Sequence, residues 1–197
     1  MSHKDVPIGK NPPHEVYAII ENPKGGDPVK YEQDKESGLM IVDRFLHTAM
    51  YYPGNYGYIP HTLSDDGDPI DIIVISDIPI DRGAILPAIP IGVFIMEDDN
   101  GKDEKIIAVP PEEVSPQYKG IKSYKDLPEI DIEKIEHFFM HYKDLEKGKW
   151  VKGDGWRDAE EAKRLIEEAI ERAIEHENKK TRCPLTNLNP FRRGPSE

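Results

Sequence analysis

Cysteine is almost absent from this chain: Cys183 is the only one in 197 residues. A lone thiol cannot close an internal disulfide, so a secreted, disulfide-built fold is excluded, and so is a cysteine-based zinc site. Long apolar runs are also missing. No stretch reaches the roughly 20 residues that a membrane-spanning helix needs, and the first residues lack the pattern of a secretory leader. Positive charge is in deficit as well, with 26 Lys and Arg against 38 Asp and Glu and a formal charge of -12. Such a balance fits a nucleic-acid backbone poorly, because phosphate binding rewards a basic surface. It leaves open a small phosphate ligand, since a local basic cluster with bound cations can reverse the field inside one pocket. These exclusions lead to the expectation of a cytoplasmic protein that engages neither nucleic acid nor membrane.

Several chemical signatures are missing too. The chain has no P-loop, no dinucleotide-binding glycine fingerprint and no nucleophilic serine elbow. His137 and His141 stand four apart, but no Glu between them makes a zincin helix. Core or surface histidines are the better reading. No internal repeat is visible.

What is present begins with Asp65-Asp66-Gly67-Asp68-Pro69-Ile70-Asp71, four carboxylates within seven residues, set just before the apolar run Ile72 to Ile75. Crowded anions repel unless positive charge lies among them, and hard divalent cations such as Mg²⁺ are the usual solution. Gly67 permits a sharp bend and Pro69 fixes the turn that follows. The spacing therefore favours a metal site at the mouth of a sheet over a solvated acidic turn. A second acidic group, Asp98, Asp99 and Asp103, taken alone is better read as a solvated turn. It is not an EF-hand: with Gly101 as the loop glycine, Met96 and Ile107 fall at the first and last ligand positions. An Asp-x-Asp-x-Thr phosphorylation motif fails at Ile70, where Thr is required.

Alternation and turn residues predict strands over 15–21, 29–33, 39–45, 70–76, 89–96 and 105–109. Residues 51–61 read as an aromatic, glycine-rich connector. Helical spacing predicts helices over 130–142 and 158–177, the second with Asp158 as N-cap. Short strands at this spacing suggest a small closed barrel. At 22.5 kDa one domain over 1–177 is expected, with a disordered tail over 178–197.

Lys30, Arg44, Lys105 and Lys143 each lie in or beside an element-like stretch rather than in a charge run. Singly, each lysine is best read as a surface cation with a buried stem. Together they offer what a phosphate pocket needs, a bidentate Arg and point-charge lysines. Tyr51, Tyr52, Tyr56, Tyr58 and Tyr142 read mostly as packed aromatics.

Six blocks in order then carry a resemblance. Pro28-Val29-Lys30-Tyr31-Glu32, Asp43-Arg44-Phe45, Tyr52-Pro53-Gly54-Asn55-Tyr56-Gly57-Tyr58, Asp66-Gly67-Asp68-Pro69-Ile70-Asp71, Asp98 with Gly101 to Lys105, and His141-Tyr142-Lys143-Asp144-Leu145-Glu146 resemble the soluble family I inorganic pyrophosphatases. The likeness covers about residues 5–175. It implies an α+β fold, a five-stranded OB-like β-barrel with flanking α-helices, and Mg²⁺-dependent hydrolysis of pyrophosphate, with Mn²⁺ or Zn²⁺ as possible substitutes. It further implies that Asp66, Asp71 and Asp103 hold activating metals, that Asp98 and Asp103 hold metals arriving with substrate, and that Glu32 orients metal-bound water. Asp68 would be the general base. Lys30, Arg44, Tyr142 and Lys143 would grip the phosphoryl groups, with Tyr56 and Lys105 beside them and Glu21 and Tyr52 completing the pocket. Asp99 stands where the family more often has Glu. A homohexamer, a dimer of trimers, is the implied assembly. The residues themselves leave other readings open: a phosphohydrolase of nucleotides or polyphosphates, an oligonucleotide-binding barrel, or a passive Ca²⁺-binding protein.

Overall fold

The structure, a computed structural model, describes residues 5–34 and 37–182, with side chains to 179. Five strands close into a ring. They are β1 (Val16–Asn22), β4 (Asn55–Tyr58), β5 (Asp71–Val74), β8 (Lys105–Val109) and β6 (Ile85–Asp98), and β6 pairs back onto β1. Every pairing in the ring is antiparallel except β5 with β8, which run parallel. The expected five-stranded barrel is therefore present.

β6 does the most to close it. Its first residues pair with β1, its middle with β8, and its last with β7 (Gly101–Lys102) and β9 (Val151–Asp158). Register shifts fall at Pro90/Gly92, where an extra residue bends β6, and opposite Ile95/Met96, where the extra residue, Asp154, lies in β9. Pro90 is tolerated because it stands at such a bulge. A separate two-stranded sheet, β2 (Val29–Gln33) with β3 (Met40–Phe45), lies outside the ring.

The apolar runs of β5 and β8 are buried on both faces, which explains their continuous rather than alternating hydrophobicity. Ile72, Val74, Ile106 and Ala108 share a core with Ala162, Leu165, Ile166 and Ala169 of helix α2 (Ala159–Arg182). Ile73 and Ile107 instead join Ile135, Phe138 and Phe139 of helix α1 (Glu129–His141). The helix faces seen in the sequence are the buried ones. Asp158 caps α2 as expected, its carboxylate accepting from Glu161 N at 3.0 Å.

Some expectations change. The 51–61 connector contains strand β4, and β9 was not anticipated. Glycine is the common cause. A Cβ at Gly57 would stand 1.9 Å from Ile19 O, and one at Gly153 would stand 2.7 Å from Met140 Sδ. Both glycines serve close packing of neighbouring elements rather than turns. Helix α2 continues to Arg182, past the expected end at 177, while the rest of the expected tail, with Cys183, lies outside the described residues.

Candidate active site

The loop ahead of β5 is tied down by backbone and side-chain bonds. Thr62 Oγ1 accepts from Ile70 N at 3.0 Å and donates to Ile59 O at 2.6 Å. Arg172 of α2 donates through Nε to Leu63 O at 2.8 Å and lies 3.6 Å from Asp65. Within the loop, Asp68 N donates to Asp66 Oδ1 at 3.0 Å, and Gly67 takes the positive φ of 93° that the bend requires. The acidic loop is thus held over the end of β5, where Asp71 opens the strand.

β5 and β8 lie in parallel register with Asp71 beside Lys105. Lys105 Nζ bonds both Asp71 and Asp103, and stands 3.3 Å from Tyr56 Oη. The β6–β7 turn brings Asp98 alongside, where it accepts from Lys143 Nζ at 2.5 Å. Lys143 and Tyr142 arrive from the end of α1. From outside the ring, β2 and β3 present Lys30 opposite Arg44, with Glu32 bonded to Lys30. Arg44 is held by Glu146 (Nε to Oε2, 3.1 Å) and Asp43 (Nη1 to Oδ2, 2.6 Å).

These side chains surround one cleft of about 190 Å³. It is lined by Glu21, Lys30, Glu32, Arg44, Tyr56, Asp66, Asp68, Asp71, Asp98, Asp103, Lys105, Tyr142 and Lys143, all of them sequence-predicted. Tyr52 is the exception: it packs behind Tyr56, ring centroids 5.3 Å apart. Gln33, Tyr58, Asn100 and Lys149 also line the cleft and were not anticipated. Polarity inside a strand was the available signal for Gln33, while Lys149 was hidden in a charge run.

Two readings of isolated residues are overturned. Lys105 and Lys143 are buried, not surface cations, and Asp98 is buried rather than part of a solvated turn. His137 and His141 are exposed, their rings tilted at 48° with 4.7 Å between centroids.

Electrostatics follow from burial and pairing. Burial disfavours the charge on Lys105, but Asp103 and Asp71 outweigh it and raise its pKa well above the usual lysine value. Burial works against Lys30 also, and its bond to Glu32 reverses the sign. Asp103 and Asp66 are pushed up mainly by burial. Asp98, although desolvated, is held low by Lys143 and by Asn100 N. Burial raises the Glu21 carboxyl to about 8.

Among the described residues no three acidic side chains form a ready cage for an ion. The donor set nevertheless suits hard divalent cations. It is all carboxylate oxygen, and Asp71 with Asp103 already share one positive centre, the Lys105 ammonium.

Comparison with known proteins agrees with this geometry. The family profile described as inorganic pyrophosphatase matches residues 18–174. An inorganic pyrophosphatase of Agrobacterium fabrum is 59% identical over 167 residues, covering 85% of this chain and 94% of its own. Among solved structures, an inorganic pyrophosphatase from Coxiella burnetii superposes with a TM-score of 0.82 at 44% identity, over 85% of this chain and 99% of that one. That of Thermus thermophilus gives 0.83 at 40%, over 88% and 99%. With its ring of five strands, its cleft of paired carboxylates and ammonium groups, and these matches, the chain belongs to the inorganic pyrophosphatase family.

Proposed function

We propose that this chain hydrolyses inorganic pyrophosphate to two orthophosphates in the cleft at the end of β5 and β8, with Asp68 as general base. The observation that carries the reading is the arrangement of charge. Lys30, Arg44, Lys105 and Lys143 line the same cleft of about 190 Å³ as Asp66, Asp68, Asp71, Asp98 and Asp103. That volume suits a small polyanion.

Divalent metal dependence follows from family membership, and Mg²⁺ is the ion we assign, with Mn²⁺ or Zn²⁺ able to substitute. Asp66, Asp71, Asp98 and Asp103 would hold the ions, and Glu32 would orient their water. Bound divalent ions supply charge neutralisation and make water more acidic.

The chain's own groups do the rest. Asp68 sits exposed on its loop, where it can take the proton from the attacking water. As that water's oxygen bonds to one phosphorus, the bridging oxygen leaves with the other phosphate. Lys30, Arg44 and Lys143 grip the phosphoryl groups in substrate and transition state alike, neutralising their charge. The Tyr142 and Tyr56 phenols, pushed up by burial, stay protonated and can donate to phosphoryl oxygens. Tyr52 and Glu21 back the pocket walls.

We place the protein in the cytoplasm and assign it the homohexamer, a dimer of trimers, implied by the resemblance. Light scattering should then give a mass near six times the 22.5 kDa chain. None of the described helices is long and apolar enough to cross a membrane.

Phosphate release from pyrophosphate, tripolyphosphate and ATP, each with and without Mg²⁺, tests the activity. Rapid Mg²⁺-dependent release from pyrophosphate alone is expected. Preference for ATP or tripolyphosphate would overturn the substrate assignment, and metal binding without turnover would leave only a cation-binding protein.

A further inference from the structure

Lys30, Glu32 and Arg44 reach the cleft on a hairpin that, among the described residues, shares no ladder with the barrel. A free two-stranded hairpin is marginal in water, so something must hold this one in place. Several of its apolar residues contribute little: Leu39, Ile41, Val42 and Phe45 are exposed, while Val29, Tyr31 and Met40 are half-buried and Arg82 lies 3.9 Å over the Tyr31 ring. Polar bonds to the barrel wall take over that task. Asn22 of β1, fully buried, receives Tyr31 N at its Oδ1 (3.0 Å) and donates its Nδ2 to Tyr31 O (3.1 Å), standing in for one rung of a ladder.

Gln33 makes the second attachment, next to Glu32 and three residues from Lys30. Its backbone N donates to Glu21 Oε1 on β1 at 2.9 Å. Its side-chain carbonyl accepts from Tyr58 Oη on β4 at 2.5 Å. Its side-chain amide donates to Gly38 O at 3.1 Å, within the turn that joins β2 to β3. Gln33 therefore links two barrel strands to the hairpin's own turn, β1 through its backbone N and β4 through its side-chain amide. A buried side-chain amide is costly to leave half-satisfied, so its bonds to Tyr58 and Gly38 act together.

We propose that Gln33 and Tyr58 are positioning residues: their shared hydrogen bond sets the hairpin where Lys30 and Arg44 can grip a bound diphosphate. The idea rests on the pyrophosphate reading above. It assigns Gln33 and Tyr58 no part in the chemical step, so their loss should weaken binding of substrate and its analogues while sparing turnover at saturation.

Tyr58→Phe, Gln33→Leu and the double variant test this in the Mg²⁺-loaded protein. The readouts are KM and kcat for pyrophosphate, the Kd of methylene diphosphonate by calorimetry, and the melting temperature. Each single variant should raise KM and Kd about fivefold, the scale of one buried hydrogen bond, and keep kcat within about twofold. The double variant should be no weaker than the worse single one, because both remove the same bond. A lowered melting temperature with unchanged KM and Kd would overturn the proposal and leave a purely structural bond. A fall in kcat at constant KM, or fully additive penalties, would overturn it as well. Should Gln33→Leu not fold, Tyr58→Phe decides through KM and Kd alone. If the unaltered protein does not turn over pyrophosphate, the parent reading fails, and diphosphonate affinity still decides whether the bond sets the hairpin.

Discussion

Asp71 and Lys105 stand side by side in parallel register on β5 and β8, and their side chains meet in a buried ion pair that Asp103 joins. A fully buried ammonium shared by two carboxylates puts the protein's own cation among groups suited to hold a divalent one. Lys105→Met keeps the volume and removes the charge, leaving Asp71 and Asp103 to face each other. In EDTA the variant should lose about 3 kcal/mol of stability, the scale of a buried pair broken on one side. Mg²⁺ should restore much of that loss, since a divalent ion can take over the neutralisation. Urea unfolding with and without Mg²⁺ measures both. Equal loss in the two conditions would separate these carboxylates from metal binding.

Asp68 occupies the bend of the acidic loop, its backbone N held by Asp66. Asp68→Asn keeps the shape and cannot accept a proton in the same way. Pyrophosphate turnover should fall at least about 100-fold, the usual contribution of a positioned base. Mg²⁺ affinity, read by calorimetry, should stay within a few-fold. Near-normal turnover would rule Asp68 out as the base.

The acidic loop, the apolar strands and both helices could be read from the chain because each is local. Asp66 to Asp71 carry their own turn chemistry, Ile72 to Val74 are apolar without interruption, and Ala162, Leu165, Ile166 and Ala169 repeat at helical spacing. β4 and β9 could not, because Gly57 and Gly153 resemble turn residues until the neighbour that needs their missing Cβ is known. The burial of Lys105 and Lys143 was equally hidden. Their partners Asp71 and Asp98 lie 34 and 45 residues away, and pairing at that distance is made by topology, not by sequence pattern.

Arg44 shares its guanidinium between Glu146 and Asp43, which aims it while leaving it positively charged. Arg44→Ala should raise KM for pyrophosphate about tenfold, as expected for a charge-assisted bond to phosphate. Inhibition by inorganic phosphate should weaken in parallel, because product and substrate share the grip. Steady-state kinetics with added phosphate reads both constants. If neither moves, Arg44 lies outside the phosphate site.

Glu21 is buried on β1 with its carboxylate accepting Gln33 N, and burial lifts its pKa from 4.5 to about 8. The folded protein thus keeps this proton over a range in which the unfolded chain has released it. Between about pH 4.5 and 8 the native state binds more protons at this group, so its contribution to stability falls as pH rises. Below that window there is no difference. Glu21→Gln keeps the acceptor for Gln33 N and removes the titration. In metal-free protein the variant should match the parent near pH 4.5 and exceed it by pH 8, by on the order of a few kcal/mol at roughly 1.4 kcal/mol per pH unit. Urea unfolding across that range in EDTA measures the difference. Two stability curves that run parallel would mean that Glu21 ionises alike in the folded and unfolded chain, and that its bond to Gln33 suffices to hold a charged carboxylate at the barrel wall.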